Sequence, residues 1–199
     1  RYPFLVEEVT RRGWEIVAHN YEQGDLLTNY SFEPAKEREL IRETLRVYEQ
    51  VVGRRARGWL SSSLRSTPRT PDYCAEAGLI FFCDYMNDDQ PYLIQTPSGP
   101  IVSVPYSIEI NDFTVFLRRG MTTTEGLDLL KEQLLELYRE GSESGRLMNV
   151  GIHPHVTGQP FRIRALRDFL KHAKALDGVW WATREQIAEW YLKNHRAHI

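Results

Sequence analysis

The 199-residue sequence predicts an α/β protein assembled from helix–strand crossover units, arranged as a parallel sheet or a barrel. Three observations lead there. Apolar stripes of helical period alternate with short, continuous apolar runs along the whole chain. Six of those runs are strand candidates, fewer than a complete eight-stranded barrel holds. The pattern also opens on a helix, without the strand that should precede it. The expectation is therefore one domain over residues 1–199 that lacks its first strand.

Taken in order, Pro3 to Arg12 carries Phe4, Leu5, Val6 and Val9 among charges, a short amphipathic helix stopped by Gly13. "WEIVAH" follows as a strand. Pro34 to Val52 repeats Leu40, Ile41, Leu45, Tyr48 and Val52 at helical spacing, with Gly53 as its stop. "ARGWLS" reads as the second strand, and Pro71 to Ala77 as a short helix ending at Gly78. "LIFFCDY" and "PIVSVPY" are the third and fourth strands, the latter bounded by Gly99 and Pro105. Thr122 to Glu140 is the longest helix, with Leu127, Leu130, Leu134, Leu137 and Tyr138 on one face. The strand "LMNVGIH", a helix from Ile163 to Leu176, the strand "VWWA" and a helix from Thr183 to Asn194 complete the series.

Composition narrows the function classes. The 25 basic and 27 acidic side chains leave a formal charge of -2 with no basic block, so nucleic acid is not an expected partner. No apolar run approaches the roughly 20 residues that span a bilayer, and "RYPFLVEEVTRRG" lacks the apolar centre of a secretory signal. No membrane association is expected, and the cytoplasm is the expected compartment. Cys74 and Cys83 both sit among apolar neighbours and read as small core residues, not as a disulfide framework. The chain opens with Arg1 rather than methionine, so residues upstream are expected to have been removed or to lie outside this polypeptide.

In parallel α/β folds, ligands bind beyond the carboxyl ends of the strands. His19 ends the first strand. Arg57 and the loop from Ser61 to Arg69 belong to the second, and Asp84 with "NDDQPY" follows the third. Tyr106, Glu109, Asn111 and Asp112 follow the fourth, and His153 and His155 end the fifth. Each has a plain structural alternative. His153 and His155 share a side only on an extended backbone, and Pro154 makes a turn equally natural. Asp88 and Asp89 can cap a loop, and Arg57 can pair with Asp84.

Beyond composition and spacing, the stretches "EIVAH", "RRARGWLSSSL", "FFCDYMNDDQPY", "VPYSIEINDF" and "NVGIHPHVTGQPFRIRALRDFL" resemble the polysaccharide deacetylase (NodB-homology) superfamily, in particular its allantoinase-like, urate-catabolism branch. The resemblance implies a distorted (β/α) barrel and hydrolysis of a non-peptide carbon–nitrogen bond, in an N-acetylated sugar or a cyclic amide such as allantoin. In the deacetylases an aspartate and two histidines hold a divalent metal that polarises the carbonyl and activates water. A second aspartate is the base, and a late histidine protonates the leaving nitrogen.

Carried over by position, the resemblance makes His153, Asp84 and Arg57 the catalytic candidates. His19, Trp59, Asp88, Asp89, Glu109 and His155 become candidates for substrate contacts, and His19 is also the one candidate metal ligand. Two departures qualify this. Gln23 stands where the second histidine of the pair belongs, and an amide oxygen is a far poorer zinc ligand than imidazole. The paired aspartates of the first strand are missing. Zinc is thus expected only if ligands come from upstream or from another chain. The leading expectation is a hydrolase acting on a small-molecule or sugar amide. The alternatives are a deacetylase-like binding module that has lost its catalysis, and an assembly role with self-association or pairing with the missing N-terminal segment.

Overall fold

The computed structural model describes residues 2–197; Arg1, His198 and Ile199 lie outside the described residues. In chain order the helices are α1 (Pro3–Arg11), α2 (Pro34–Val52), α3 (Thr70–Glu76), α4 (Thr123–Glu140), α5 (Pro154–Thr157), α6 (Pro160–Ala173) and α7 (Arg184–Asn194). The strands are β1 (Gly58–Trp59), β2 (Phe81–Phe82), β3 (Tyr92–Ile94) and β4 (Ile101–Ser103). The chain divides into two compact units: Arg1–Tyr85 with Pro91–Val104 and Ala182–Ile199, and Met86–Gln90 with Pro105–Trp181.

The first unit holds a four-stranded sheet in the order β1-β2-β4-β3. β1 runs parallel to β2 and β2 to β4, while β3 returns antiparallel at the edge. The β1 to β2 connection passes through α3, as a parallel pair requires. "LIFFCDY" has polar residues only at its end because both faces of β2 are covered: Phe81, Phe82 and Cys83 are all buried. The helical stripe of α2 packs on this sheet through Ile41 and Tyr48, in one cluster with Leu27, Trp59, Leu79 and Ile101. Gly53 closes α2 at φ 77°, a left-handed position that glycine takes without steric cost. α7 is tied to the same unit by Glu15, whose carboxylate accepts the opening amides of Arg184 (2.9 Å) and Glu185 (2.8 Å).

In the second unit α4 begins with a capping box: the Thr122 hydroxyl accepts the Glu125 amide, and the Glu125 side chain accepts the Thr122 amide. α4 packs on α6 around Leu130, Leu134 and Phe169. A smaller cluster joins Val115, Phe116 and Val156. Between Asp112 and α4 the chain makes a π-helical segment, Phe113–Arg118.

The helices lie where the apolar period places them, within a few residues at the ends. The strands differ more. "WEIVAH" makes a single parallel bridge, Ala18 to Trp59. "LMNVGIH" and "VWWA" join no sheet among the described residues. In "LMNVGIH" the backbone finds other partners: Leu147 N–H bonds to the Asp89 carbonyl, the Gly151 carbonyl accepts Asp112 N–H at 2.9 Å, and His153 N–H bonds to the Asp112 side chain. An apolar run does not need a ladder when loop carbonyls and a carboxylate satisfy its polar groups. No described helix is long and apolar enough to cross a membrane.

Candidate functional site

Polar residues gather in each unit. In the first, β1 and β2 end side by side, and the residues just past those ends meet. The Ser61 amide donates to Asp84 Oδ1 at 2.7 Å, and the Ser62 amide donates to Asn20 Oδ1 at 3.2 Å. Asp84 is 3% exposed. Its Oδ2 is sealed from solvent. Burial pushes the Asp84 carboxyl above the ordinary carboxylate range, against the pull of the Ser61 and Ser66 hydroxyls and of His19.

The loop past β1 turns sharply: Ser63 and Leu64 both take positive φ, 56° and 58°. A buried anchor holds it. Glu37 of α2 is fully enclosed and accepts the hydroxyls of Thr67 (2.8 Å) and Thr70 (2.6 Å). The strain of two consecutive left-handed residues persists because the next turn of chain is fixed to α2.

His19 is exposed at the edge of this cluster. Its Nδ1 lies 2.5 Å from the Leu60 carbonyl, which only accepts, so Nδ1 carries the proton and Nε2 points the other way. Nε2 lies 3.1 Å from Gln23 Oε1; with the ring proton on Nδ1 both of these atoms are acceptors, so the contact is not a hydrogen bond. A backbone-anchored imidazole is the usual attitude of a metal-binding histidine, but here the second nitrogen already faces an amide. Among the described residues no three His, Cys, Asp or Glu side chains converge on one point. These residues do not fit a divalent metal by themselves.

Two expectations for this cluster are corrected. Trp59 is completely buried in the apolar core, and its indole N–H donates to Ser61 Oγ at 2.8 Å. It supports the residue that holds Asp84 and has no surface for a substrate. Arg57 precedes β1, so it sits at the amino end of the strand, whereas Asp84 lies past the carboxyl end of the parallel neighbour β2. Its guanidinium bonds to Glu185 at 2.9 Å and Glu189 at 3.4 Å, both on α7. The Arg57–Asp84 pairing does not form.

The second cluster is centred on Asp112, which is 4% exposed. Oδ2 accepts the Thr157 hydroxyl at 2.6 Å and the His153 amide at 2.8 Å. Oδ1 lies 2.6 Å from His153 Nδ1. Burial alone would raise this carboxyl, but the Thr157 and His153 hydrogen bonds together hold it below the usual carboxylate range. An ionised Asp112 therefore fixes the proton of His153 on Nδ1 and leaves Nε2 as the reactive nitrogen. His153 stands at the N-cap of α5, and Pro154 starts the helix there. The turn, not the extended reading of "HPH", is what forms.

The His155 ring meets the His153 ring edge-on, 5.6 Å between centroids. Asp88 accepts the Gln90 amide at 3.0 Å and caps its own loop. Asp89 is held near Arg146, 3.7 Å away. Glu109 is exposed. Sequence reasoning assigned no role to Asp112, Thr157 or Ser61. The available signal for Asp112 was its place after the fourth strand; its partner stands 41 residues later, a separation that spacing rules do not reach.

No family model matches the chain. A Schizosaccharomyces pombe protein named "Putative polysaccharide deacetylase" is 28% identical over 211 residues, covering 97% of this chain and 65% of its own length. The crystal structure of Puue allantoinase is similar with a TM-score of 0.88 and 30% identity over 98% of this chain and 64% of that one. A "probable Polysaccharide deacetylase" from Pseudomonas aeruginosa PAO1 is similar with a TM-score of 0.87 and 29% identity, over 97% of this chain and 64% of that one. The α/β fold thus matches polysaccharide deacetylase structures, and the chain spans about two thirds of the length of these relatives.

Proposed function

We propose that this chain forms part of a hydrolase of polysaccharide deacetylase type that cleaves a non-peptide carbon–nitrogen bond, with a cyclic amide of the allantoin kind as its substrate class and a distorted (β/α) barrel as its scaffold. The observation that carries the reading is the Asp112–His153 pair. With Nδ1 bonded to a buried carboxylate, a protonated His153 has one proton to give, on Nε2. As water adds through oxygen to the amide carbon and the carbon–nitrogen bond breaks, that proton goes to the departing nitrogen, and the proton the added water gives up returns to His153 Nε2. Asp112 stabilises the imidazolium and fixes its orientation. The cyclic-amide substrate is supported over an N-acetylated sugar by Gln23, which stands beside His19 Nε2 in the place that the resemblance gives to a second imidazole, and by the similarity to an allantoinase.

The test uses full-length protein with allantoin and an N-acetylated sugar oligomer, each with and without a chelator. Allantoin turnover should persist in chelator and fall at least about 100-fold in His153→Ala. Failure to cleave either substrate, or an unchanged rate in His153→Ala, refutes the reading. A second reading, a binding module without catalysis, is favoured by the same Gln23 and by the lack of a three-ligand group among the described residues. Saturable ligand binding without turnover by the intact protein distinguishes it.

A further inference from the structure

The first unit contains a cleft that plays no part in the chemistry above. It lies between α2 and α3, with a volume of about 320 Å³, at the lower end of the range for small-molecule sites. Helical spacing puts Arg38, Arg42 and Arg46 one turn apart along α2, and Arg55 enters from the loop before β1. Against these four guanidinium groups the lining offers two carboxylates, Glu49 and Glu76. The floor is apolar: Ile41 and Leu79 belong to the buried core of this unit.

A row of arginines on a helix is ordinarily a solvated face whose charges pair within the helix. Arg46 does so, with Glu43. Arg38 and Arg42 instead reach across to one carboxylate oxygen of Glu76 on α3, Arg42 at 3.4 Å. One acid thus serves two cations. Arg55 donates to the Ala77 carbonyl at 3.3 Å and has no carboxylate within ion-pair distance among the described residues. The result is a concave space with surplus positive charge at its rim and apolar surface beneath, where Glu76 already occupies the place of an anion.

We propose that this cleft binds a small organic oxyanion, a carboxylate or phosphate ester on an apolar or aromatic body, with the anion held by Arg42 and Arg55 and the body resting on the half-buried Leu45 and Tyr73. The planar fork of arginine suits both oxyanions. Glu76 competes for the same donors, so the site is weaker with that carboxylate than without it.

Binding of benzoate and of phenyl phosphate to the full-length protein, measured by calorimetry at fixed ionic strength, tests this, with inorganic phosphate as the probe that lacks a body. One or both aromatic anions should bind saturably, at least about tenfold tighter than inorganic phosphate. Arg42→Gln and Arg55→Gln should each weaken binding about tenfold, the loss of one charge-assisted hydrogen bond. Glu76→Gln should tighten it by a similar factor, a gain that a misfolded variant does not produce. No saturable binding, equal binding of inorganic phosphate, or affinity untouched by the arginine and Glu76 substitutions overturns the proposal.

Discussion

Replacing Thr157 by valine isolates what holds Asp112. Thr157 is 4% exposed, and its hydroxyl donates to Asp112 Oδ2 at 2.6 Å. Valine keeps the branched shape and substitutes a methyl group for the donor. A hydrogen bond to an ionised group contributes about 1.5–3 kcal/mol, so Thr157→Val should lose about 2 kcal/mol of stability at neutral pH. The sign with pH follows from the direction of the shift. The folded carboxyl of Asp112 lies below its ordinary value, so its stabilisation is complete above the unfolded pKa, about 3.9, and is lost as pH falls through the folded pKa. The Thr157 hydroxyl supplies part of that stabilisation. The gap between the parent and Thr157→Val should therefore be widest at neutral pH and close in acid, while Thr157→Ser stays near the parent. Urea unfolding of the three proteins at a series of pH values between neutrality and strong acid measures it. A gap that does not change with pH, or a serine variant as weak as the valine one, refutes the argument and makes the effect one of packing.

Two further outcomes are expected. Arg57→Ala should cost less than about 1 kcal/mol in urea unfolding and leave turnover unchanged, because it removes partly exposed ion pairs to Glu185 and Glu189; a large loss of turnover at unchanged stability would return Arg57 to the catalytic group. Gly151→Ala should destabilise by about 2 kcal/mol, since an added Cβ would stand 2.0 Å from Tyr106 Oη and 2.6 Å from Asn111 Nδ2. The same change should disturb His153, because the Gly151 carbonyl anchors the Asp112 amide, and an unaltered unfolding midpoint would count against that tight contact.

The helices were legible because their signals are local. α2 begins at Pro34 and ends before Gly53 where an apolar stripe, a starting proline and a left-handed glycine agree. α4 and α7 both open on a threonine with Glu125 or Gln186 three residues into the helix, the capping box that closes the first turn. The strands were only partly legible. "LIFFCDY" and "LMNVGIH" are alike as apolar runs, yet one lies between two parallel neighbours and the other is pinned by a loop carbonyl and a carboxylate. An apolar run reports that a segment is buried and says little about what pairs with its backbone.

The site divides along the same line. From sequence alone His19, Asp84 and His153 stand out, since a polar residue closing an apolar run is visible in one dimension, and the likeness to the deacetylases rests on those same stretches. Their partners do not stand out. Trp59 looks like an aromatic free to meet a substrate until the fold encloses it against Ser61, and Arg57 looks like a site residue until the strand direction places it at the amino end beside α7. Only the tertiary structure brings Asp112 to His153 and Thr157, because hydrogen bonds between segments 41 and 45 residues apart depend on where the chain returns. The residue types of the candidate site are written in the sequence; which nitrogen of His153 faces a buried carboxylate is decided by the fold.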